Sequence, residues 1–300
     1  MLDPKLAVLL LDSSGSGLRS LVLLGDESQL PSFGPGALLR DALTSLRVPS
    51  IRLTVVHRTG AGSLIAEKAG EIAVGKVSSI EPCAAEVWNL QECPNKTSCI
   101  DSAGRRTIEL LKDGQRVGLV AQTAAACSQL NAQIQQAVNP ATLSKKEVSG
   151  KGTIVWRESD RVVSTANVYD KQPPYSRLLT NGETGRVISA SETSFKVQFE
   201  SGYTHRFPHK AKDILHAYAM TVHRSQGSEF PHVVVAIDMY ESYQSRESLY
   251  TAVTRGAQSV TVYSTHRNLQ AAIKQTAREA RVTRLSKCIT HAFAKRPLCD

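Results

Sequence analysis

The sequence has no long apolar run and few aromatic residues. Aromatic side chains make up 5% of the chain, and no segment approaches the roughly 18–20 apolar residues that span a bilayer. The short apolar run at 6–11 follows Asp3 and precedes no small-residue cleavage site, which argues against a secretory signal. These absences disfavour a membrane or secreted protein and indicate an intracellular one.

Paired cysteines are also missing. Six cysteines are present, and none lies in a C-x-x-C pair. The cluster of Cys83, Cys93 and Cys99 has irregular spacing and no nearby histidine, whereas zinc sites use short and regular ligand spacings. We therefore expect reduced thiols and no metal site.

The length and charge of the chain indicate its broad class. Three hundred residues suffice for about two domains, and a hydrophobic fraction of 41% is ordinary for a protein with buried cores. The formal net charge of +9 favours a polyanionic partner, because Lys and Arg release counterions when they bind a phosphate backbone. A basic surface without a nucleic-acid role is the alternative explanation of the charge.

The apolar periodicity predicts alternating strands and helices, which are typical of a parallel sheet. Continuous apolar strands are predicted at 19–24, 51–56, 116–122, 232–237 and 259–263, and helices at 6–11, 37–46, 63–74, 124–138, 212–226 and 248–255, with a helical and basic tail from 268. The stretch around 82–100 is rich in Pro, Cys and Asn and predicts a loop. Short alternating runs at 154–157, 161–164, 185–189 and 195–199 predict a small antiparallel barrel.

The most specific string is residues 218–229, Y-A-M-T-V-H-R-S-Q-G-S-E. A Gly-Ser-Glu loop beside a strand brings backbone amides close to a phosphate, and its carboxylate can accept hydrogen bonds from ribose hydroxyls. A glycine-containing turn beside a buried strand is the structural alternative. The string closely resembles motif V of RecD-like superfamily-one DNA helicases, A-Y-A-x-T-V-H-K-S-Q-G-S-E-F, with Arg224 in place of the lysine.

Further strings occur in the order of that family. Residues 249–255, L-Y-T-A-V-T-R, resemble motif VI, which implies that Arg255 reaches the γ-phosphate of ATP. Residues 24–32 resemble motif III, G-D-x-x-Q-L-P-S, which implies that Gln29 senses the γ-phosphate or the attacking water. The resemblance thus implies catalytic roles for Gln29, Arg255 and Arg58, of which Arg58 belongs to a further motif, motif IV, at residues 53–58. It also implies an ATP site formed by Gly25, Asp26, Gln29, Arg58, Gly227, Glu229 and Arg255.

The middle of the chain carries related strings. Residues 53–58 resemble motif IV, L-T-x-V-F-R-Q, with His57 at the aromatic position. Residues 160–169 and 181–185 resemble D-R-V-M-Q-x-x-N-N-Y and N-G-D-x-G, which introduce the family's inserted small β-barrel. That barrel helps to hold single-stranded DNA in the family, so the resemblance implies DNA contacts by Tyr169 and Asn181 beside Thr221, His223 and Arg224.

The phosphate-binding loop G-x-x-x-x-G-K-[ST] of such motors is not found in the sequence. The opening Met1-Leu2-Asp3 resembles the end of motif II, D-E-x-S-M-[VL]-D, so we expect the magnesium-binding acidic pair to precede Met1. ATP and Mg²⁺ are implied as cofactors of the complete motor only. We expect no ATP hydrolysis by this chain alone, and uncovered apolar faces in its first domain.

The expected fold is α/β, with a partial RecA-like first motor domain and a RecA-like second motor domain that carries the inserted barrel. The expected boundaries are 1–58 for the first domain, 59–114 for a connecting region, 115–152 and 212–265 for the second domain, 153–211 for the barrel and 266–300 for a basic tail. The leading hypothesis is the C-terminal part of an ATP-dependent DNA helicase, 5′-to-3′ by resemblance. A non-catalytic module that binds single-stranded nucleic acid is the second hypothesis, and a motor split with a P-loop-bearing partner chain is the third.

Overall fold

The computed structural model describes residues 2–32, 34–53, 63–76, 87–142, 146–152, 154–170, 177–240, 243–277, 281 and 283–295. Its helices are α1 (Pro4–Ser14), α2 (Leu38–Thr44), α3 (Leu64–Ala73), α4 (Lys96–Lys112), α5 (Ala124–Val138), α6 (Val222–Ser225), α7 (Arg246–Val253), α8 (His266–Lys274) and α9 (Leu285–Lys295). None of these helices is long and apolar enough to cross a membrane.

The strands fall into a parallel and an antiparallel group. They are β1 (Trp88–Glu92), β2 (Val117–Ala121), β3 (Glu147–Ser149), β4 (Val155–Arg157), β5 (Arg161–Ser164), β6 (Val168–Tyr169), β7 (Arg177–Leu179), β8 (Thr184–Ser191), β9 (Ser194–Phe199), β10 (Thr204–Pro208), β11 (Ile214–His216), β12 (Ala219–Thr221), β13 (Phe230–Ala236) and β14 (Gly256–Ser264).

A five-stranded parallel sheet, in the order β1-β14-β13-β2-β12, forms the centre of the larger domain. Its central strands are apolar on both faces because both are covered. Val233 and Val235 point into one core with α3, α7 and α8, and Val234 and Ala236 point into the other with α4 and α5. The prediction of an α/β fold with a parallel sheet is confirmed.

An antiparallel insert lies between α5 and β12. Its main sheet has the order β10-β9-β8-β5-β11, and the pairs β3-β4 and β6-β7 lie beside it. Alternating residues fill a separate core around Trp156, Phe195 and Phe207, whose rings stack. The described strands form a half-barrel, since β10 and β11 are the two edges of the sheet. The predicted antiparallel strands are present, and the closed barrel is not confirmed.

The N-terminal region corrects one prediction. Helices α1 and α2 form as expected, but residues 19–24 and 51–53 lie in no strand, and 54–56 lie outside the described residues. An apolar run becomes a strand only when neighbouring strands bind its amides and carbonyls, and the described residues supply none here. Leu24 is 90% exposed and Ile51 is 91% exposed, which agrees with the expectation of uncovered apolar faces.

Two other predictions of local structure were wrong. The stretch around 82–100 contains β1 and the start of α4, because Trp88 and Leu90 alternate with polar residues and the side chain of Asn95 caps the helix by accepting from Ser98 N. The helix predicted at 212–226 is instead β11, β12 and the short α6. Pairing of β11 with β5 and of β12 with β2 overrides the local helical spacing.

The sheet also begins earlier than the expected second-domain boundary at residue 115. Strand β1 and helix α4 come from the segment assigned to a connecting region, and β1 is an edge strand of the parallel sheet. The domain boundaries stay predictions.

Candidate functional site

The turn at residues 24–32 orients Gln29 through Asp26. The Asp26 carboxylate accepts hydrogen bonds from Ser28 N at 2.8 Å and from Gln29 Nε2 at 3.1 Å. Gly25 precedes this turn, and a Cβ there would lie 2.8 Å from Leu39 Cδ2. A side chain at this position would therefore displace the end of the Leu39 side chain.

This turn contacts the two C-terminal strings directly. Leu30 N donates to Thr251 Oγ1 at 2.8 Å, and Gln226 Nε2 donates to Leu30 O at 3.3 Å. The Leu30 side chain packs against the core that includes α7. The segment 24–32 thus meets two C-terminal segments, 218–229 and 249–255, at one backbone position, through contacts that span 196 and 221 residues of sequence.

A cavity of about 300 Å³ opens beside this contact. Gly25, Asp26 and Gln29 line it together with Gln226. The amide side chains of Gln29 and Gln226 can hydrogen-bond phosphate oxygens or a water molecule. Across the part of the chain that the structure describes, no cluster of three or more His, Cys, Asp or Glu side chains could hold a metal ion.

Arg255 connects the end of α7 to the loop at 226–229. It is 3% exposed. Its guanidinium donates to Thr251 O at 3.0 Å, Ser228 O at 3.3 Å and Thr254 Oγ1 at 3.2 Å. In addition, Phe230 N donates to Arg255 O at 3.0 Å. In this conformation Arg255 fixes the loop at 226–229, and its role at a γ-phosphate stays a prediction.

Gly227 and Glu229 do not face the cavity of Gln29. They line a second cavity of about 500 Å³, between the start of β13 and the insert, together with Arg116, Glu183 and Glu200. Gly227 has a φ of +87°, in the region that favours glycine. The predicted ATP-binding set is therefore divided between two cavities, with Arg255 buried behind the loop. Arg58 lies outside the described residues.

The predicted DNA-binding residues of the 218–229 string lie at the carboxyl end of β12. Thr221 caps α6 and pairs with Ala121 of β2, and Arg224 is exposed. Burial lowers the pKa of His223 below its ordinary value of 6.5, so His223 is neutral at pH 7. A neutral imidazole meets a nucleic acid as a hydrogen-bond partner and not as a cation.

Tyr169 and Asn181 lie together in the insert. Asn167 links them, since its Nδ2 donates to Tyr169 OH at 3.4 Å and its Oδ1 accepts from Asn181 N at 2.8 Å. Tyr169 is exposed. The structure thus brings these two predicted residues together, on a different element from α6.

A polar network at the carboxyl edge of the parallel sheet was missed in the sequence. The Asp238 carboxylate accepts from Gln122 N at 2.7 Å and from Thr123 Oγ1. The side chains of Gln122 and Gln244 donate to each other at 2.6 and 3.0 Å. The available signal was position, because Gln122 and Asp238 directly follow apolar strands, and ligands of parallel sheets bind beyond the strand ends.

Comparison with known proteins shows that the chain is similar to DNA helicases. Residues 216–263, from β11 to the end of β14, match the UvrD-like helicase C-terminal domain family. The ATP-dependent RecD2 DNA helicase of Deinococcus radiodurans is 27% identical over 262 residues, which are 85% of this chain and 34% of that protein. The RecD subunit of the RecBCD enzyme of Mycobacterium tuberculosis is 33% identical over 125 residues, 41% of this chain and 20% of the subunit.

The chain thus has an α/β fold, and its residues 216–263 are similar to the UvrD-like helicase C-terminal domain. More particularly, the chain is a relative of the RecD-like helicases, as the sequence strings predict. It spans about a third of the length of the RecD2 relative. A crystal structure of Bacteroides Pif1 bound to single-stranded DNA superposes with a TM-score of 0.45 at 13% identity, over 82% of this chain and 56% of that one.

Proposed function

We propose that this chain is the C-terminal part of an ATP-dependent DNA helicase motor, with a RecA-like second motor domain. It binds single-stranded DNA and contributes the Gln29–Arg255 side of an ATP site. Directionality, 5′-to-3′, rests on the family resemblance alone. In this proposal the whole motor uses ATP and Mg²⁺. The proposal assigns no residue of this chain to the phosphate-binding loop or to the magnesium ligands.

One observation carries the proposal. The three strings that resemble nucleotide-sensing helicase motifs are joined at Leu30 by hydrogen bonds to Thr251 and Gln226. A chance match would give the N-terminal turn no reason to meet the other two strings, since it lies about 200 residues before them in sequence. The net charge of +9 supports a nucleic-acid partner.

The test of DNA binding is fluorescence anisotropy with a labelled single-stranded oligonucleotide over a range of salt concentrations. We expect salt-dependent binding, and we expect Arg224→Ala to reduce the slope of log affinity against log salt by about 0.7, the value for one phosphate contact. Arg105, an exposed arginine on α4, serves as the control, because Arg105→Ala should leave the slope unchanged. Salt-independent affinity, or equal slopes in all three proteins, would contradict the proposal.

The test of the nucleotide side uses ATP hydrolysis and a non-hydrolysable ATP analogue. We expect no DNA-stimulated hydrolysis from the purified chain, and we expect the analogue with Mg²⁺ to change DNA affinity in the wild type but not in Gln29→Ala. Hydrolysis that Gln29→Ala abolishes would show a complete ATP site and refute the assignment of a partial one.

The second candidate function is a nucleic-acid-binding module without nucleotide chemistry. The observation that favours it is the burial of Arg255 in bonds to Thr251 O and Ser228 O, which leaves its guanidinium engaged within its own domain. This candidate predicts salt-dependent DNA binding that the ATP analogue does not change. A partner chain that carries a P-loop belongs to the split-motor alternative, which predicts hydrolysis on mixing the two chains.

A further inference from the structure

Two exposed tyrosines lie on the loop that follows β13. Tyr240 is 72% exposed and Tyr243 is 68% exposed. Aromatic rings bury large apolar areas in most folded proteins, so two uncovered rings on one loop offer an apolar surface that a ligand can cover. Neither ring belongs to the DNA-binding set predicted from the sequence.

A lysine ammonium lies directly over one of these rings. Lys96 Nζ, at the first residue of α4, is 3.0 Å from the centroid of the Tyr240 ring. Although the ammonium lies over the ring, Tyr240 is 72% exposed, so most of its surface is available to a ligand. A positive charge beside an exposed aromatic ring is the combination that binds single-stranded nucleic acid, with the ring stacking on a base and the cation near the backbone.

The loop that carries Tyr240 is held in place by the polar network at the strand ends. Asp238 accepts from Gln122 N at 2.7 Å, Met239 N donates to Gln122 Oε1 at 3.2 Å, and Gln244 Nε2 donates to Met239 O at 3.0 Å. Tyr243 N also donates to Tyr240 O at 2.9 Å. The ring is therefore presented from a bonded loop, which lowers the entropic cost of binding a base.

This surface lies at the same edge of the sheet as the predicted DNA contacts of α6. Thr221 of β12 and Ala236 of β13 both pair with Ala121 of β2. They therefore lie at the same level along the strand direction, separated by two strand spacings or about 10 Å. The chain reaches Tyr240 four residues beyond Ala236. Lys96 follows the carboxyl end of β1, on the same edge.

We propose that Tyr240, supported by Lys96, is a base-stacking site for single-stranded DNA that extends the α6 surface across the carboxyl edge of the sheet. This inference rests on the proposed function, because it assumes that a single strand binds at α6. Stacking accepts any base, so the site contributes affinity and not sequence preference. The aromatic pair Tyr240 and Tyr243 would alternatively bind a protein partner, which the experiment separates.

The experiment measures the affinity of the full chain for labelled oligothymidylate and for an abasic strand of equal length. We expect Tyr240→Ala to weaken oligothymidylate binding roughly tenfold, which corresponds to stacking of one base, with no change in salt slope. Tyr240→Phe keeps the ring and should bind within about twofold of wild type. On the abasic strand, Tyr240→Ala and wild type should bind equally.

Lysine variants test the second half of the site with a matched control. Lys96 and Lys112 are the first and last residues of α4, about 24 Å apart along the helix axis. Lys96→Ala should weaken binding to both strands and reduce the salt slope by about 0.7, whereas Lys112→Ala should do neither. Circular dichroism establishes that each variant is folded.

The outcomes separate this inference from the proposed function. If the wild type binds oligothymidylate and Tyr240→Ala binds it equally well, the stacking site is overturned and the proposed function still stands. Equal weakening on both strands also overturns it, because a lost base contact cannot act on a strand without bases. Failure of the wild type to bind any single strand overturns both.

Discussion

Replacing Asp160 with asparagine should destabilise the junction between the insert and the parallel-sheet domain. The carboxylate is completely buried. Its oxygens accept hydrogen bonds from elements of both parts: Gln135 Nε2 at 2.6 Å, Asn139 Nδ2 at 2.8 Å, Arg157 N at 2.7 Å and Tyr218 OH at 2.9 Å, with His216 Nε2 at 3.2 Å. Asparagine keeps the size of the side chain but replaces one acceptor with a donor.

The magnitude follows from the partners of each oxygen. An amide nitrogen at the Oδ2 position would face Gln135 Nε2 and Arg157 N, two donors that cannot accept. At the Oδ1 position, Tyr218 can rotate to accept, but Asn139 cannot turn without losing its bond to Glu158 O. Either orientation loses the charge and leaves a buried donor unsatisfied. We expect Asp160→Asn to lower the free energy of unfolding by about 3–5 kcal/mol.

The two tryptophans allow the assay to report on the two parts separately. Trp156 lies in the core of the insert and Trp88 lies in the core of the parallel-sheet domain. In a protein that also carries Trp88→Phe, Trp156 is the remaining tryptophan, so its fluorescence during urea unfolding reports on the insert. Circular dichroism reports on the whole chain. Asp113→Asn is the control, because Asp113 is exposed at the end of α4; it should change stability by less than about 0.5 kcal/mol. A loss below about 1 kcal/mol for Asp160→Asn would refute the junction argument.

The pH dependence gives an independent check. Burial alone raises the pKa of Asp160, but the hydrogen bonds from His216, Arg157 N and Asn139 outweigh it and hold the pKa below its ordinary value. Because the folded pKa lies below the unfolded one, the stabilisation is complete above the unfolded pKa and is lost as pH falls through the folded pKa. The difference in unfolding free energy between wild type and Asp160→Asn should therefore be constant above about pH 5 and shrink in acid. A difference that grows in acid would contradict the assignment.

Two further expectations concern packing and thiol reactivity. Gly118→Ala should destabilise the chain by about 1–3 kcal/mol in urea unfolding, because its new Cβ would overlap the ring of Phe230. Gly70→Ala, in the open space beside α3, should stabilise the chain by about 0.5–1 kcal/mol. A Gly118→Ala protein more stable than the Gly70→Ala protein would refute this packing. Exposed Cys288 should react with iodoacetamide before the buried Cys99 and Cys127, because burial raises the pKa of both buried thiols to about 12. Labelling of Cys99 or Cys127 before Cys288, located by peptide mass spectrometry, would contradict their placement.

The sequence predicted those elements whose local pattern agrees with their tertiary environment. Helix α5 carries apolar residues at helical spacing and a threonine cap, and it forms over the predicted residues. The central strand β13 is apolar on both faces because helices cover both, so a continuous apolar run identified it. By contrast, residues 19–24 have the same pattern and form no strand, because the pattern records a preference for burial and cannot supply the neighbouring strands.

The candidate site was predictable as residue types but not as an arrangement. Matched strings gave Gln29, Gly227 and Arg255, and the structure brings their segments together through Leu30, a residue with no chemical signal of its own. The division of Gly227 and Gln29 between two cavities depends on the position of the insert, which no local pattern encodes. Lys96 and Tyr240 escaped prediction because their contact joins residues that are 144 positions apart.

Helix α6 gives the proposed function a physical route between its two sites. Thr221 lies directly before the helix, at the sheet edge where single-stranded DNA is proposed to bind, and Gln226 lies directly after it, bonded to Leu30 beside Gln29. The helix has four residues and is therefore about 6 Å long. Val222 and Ser225 are buried within it, so it cannot bend independently of its neighbours. A displacement of the 24–32 turn on nucleotide binding would therefore move α6 as a unit, and with it the residues that are proposed to contact the strand.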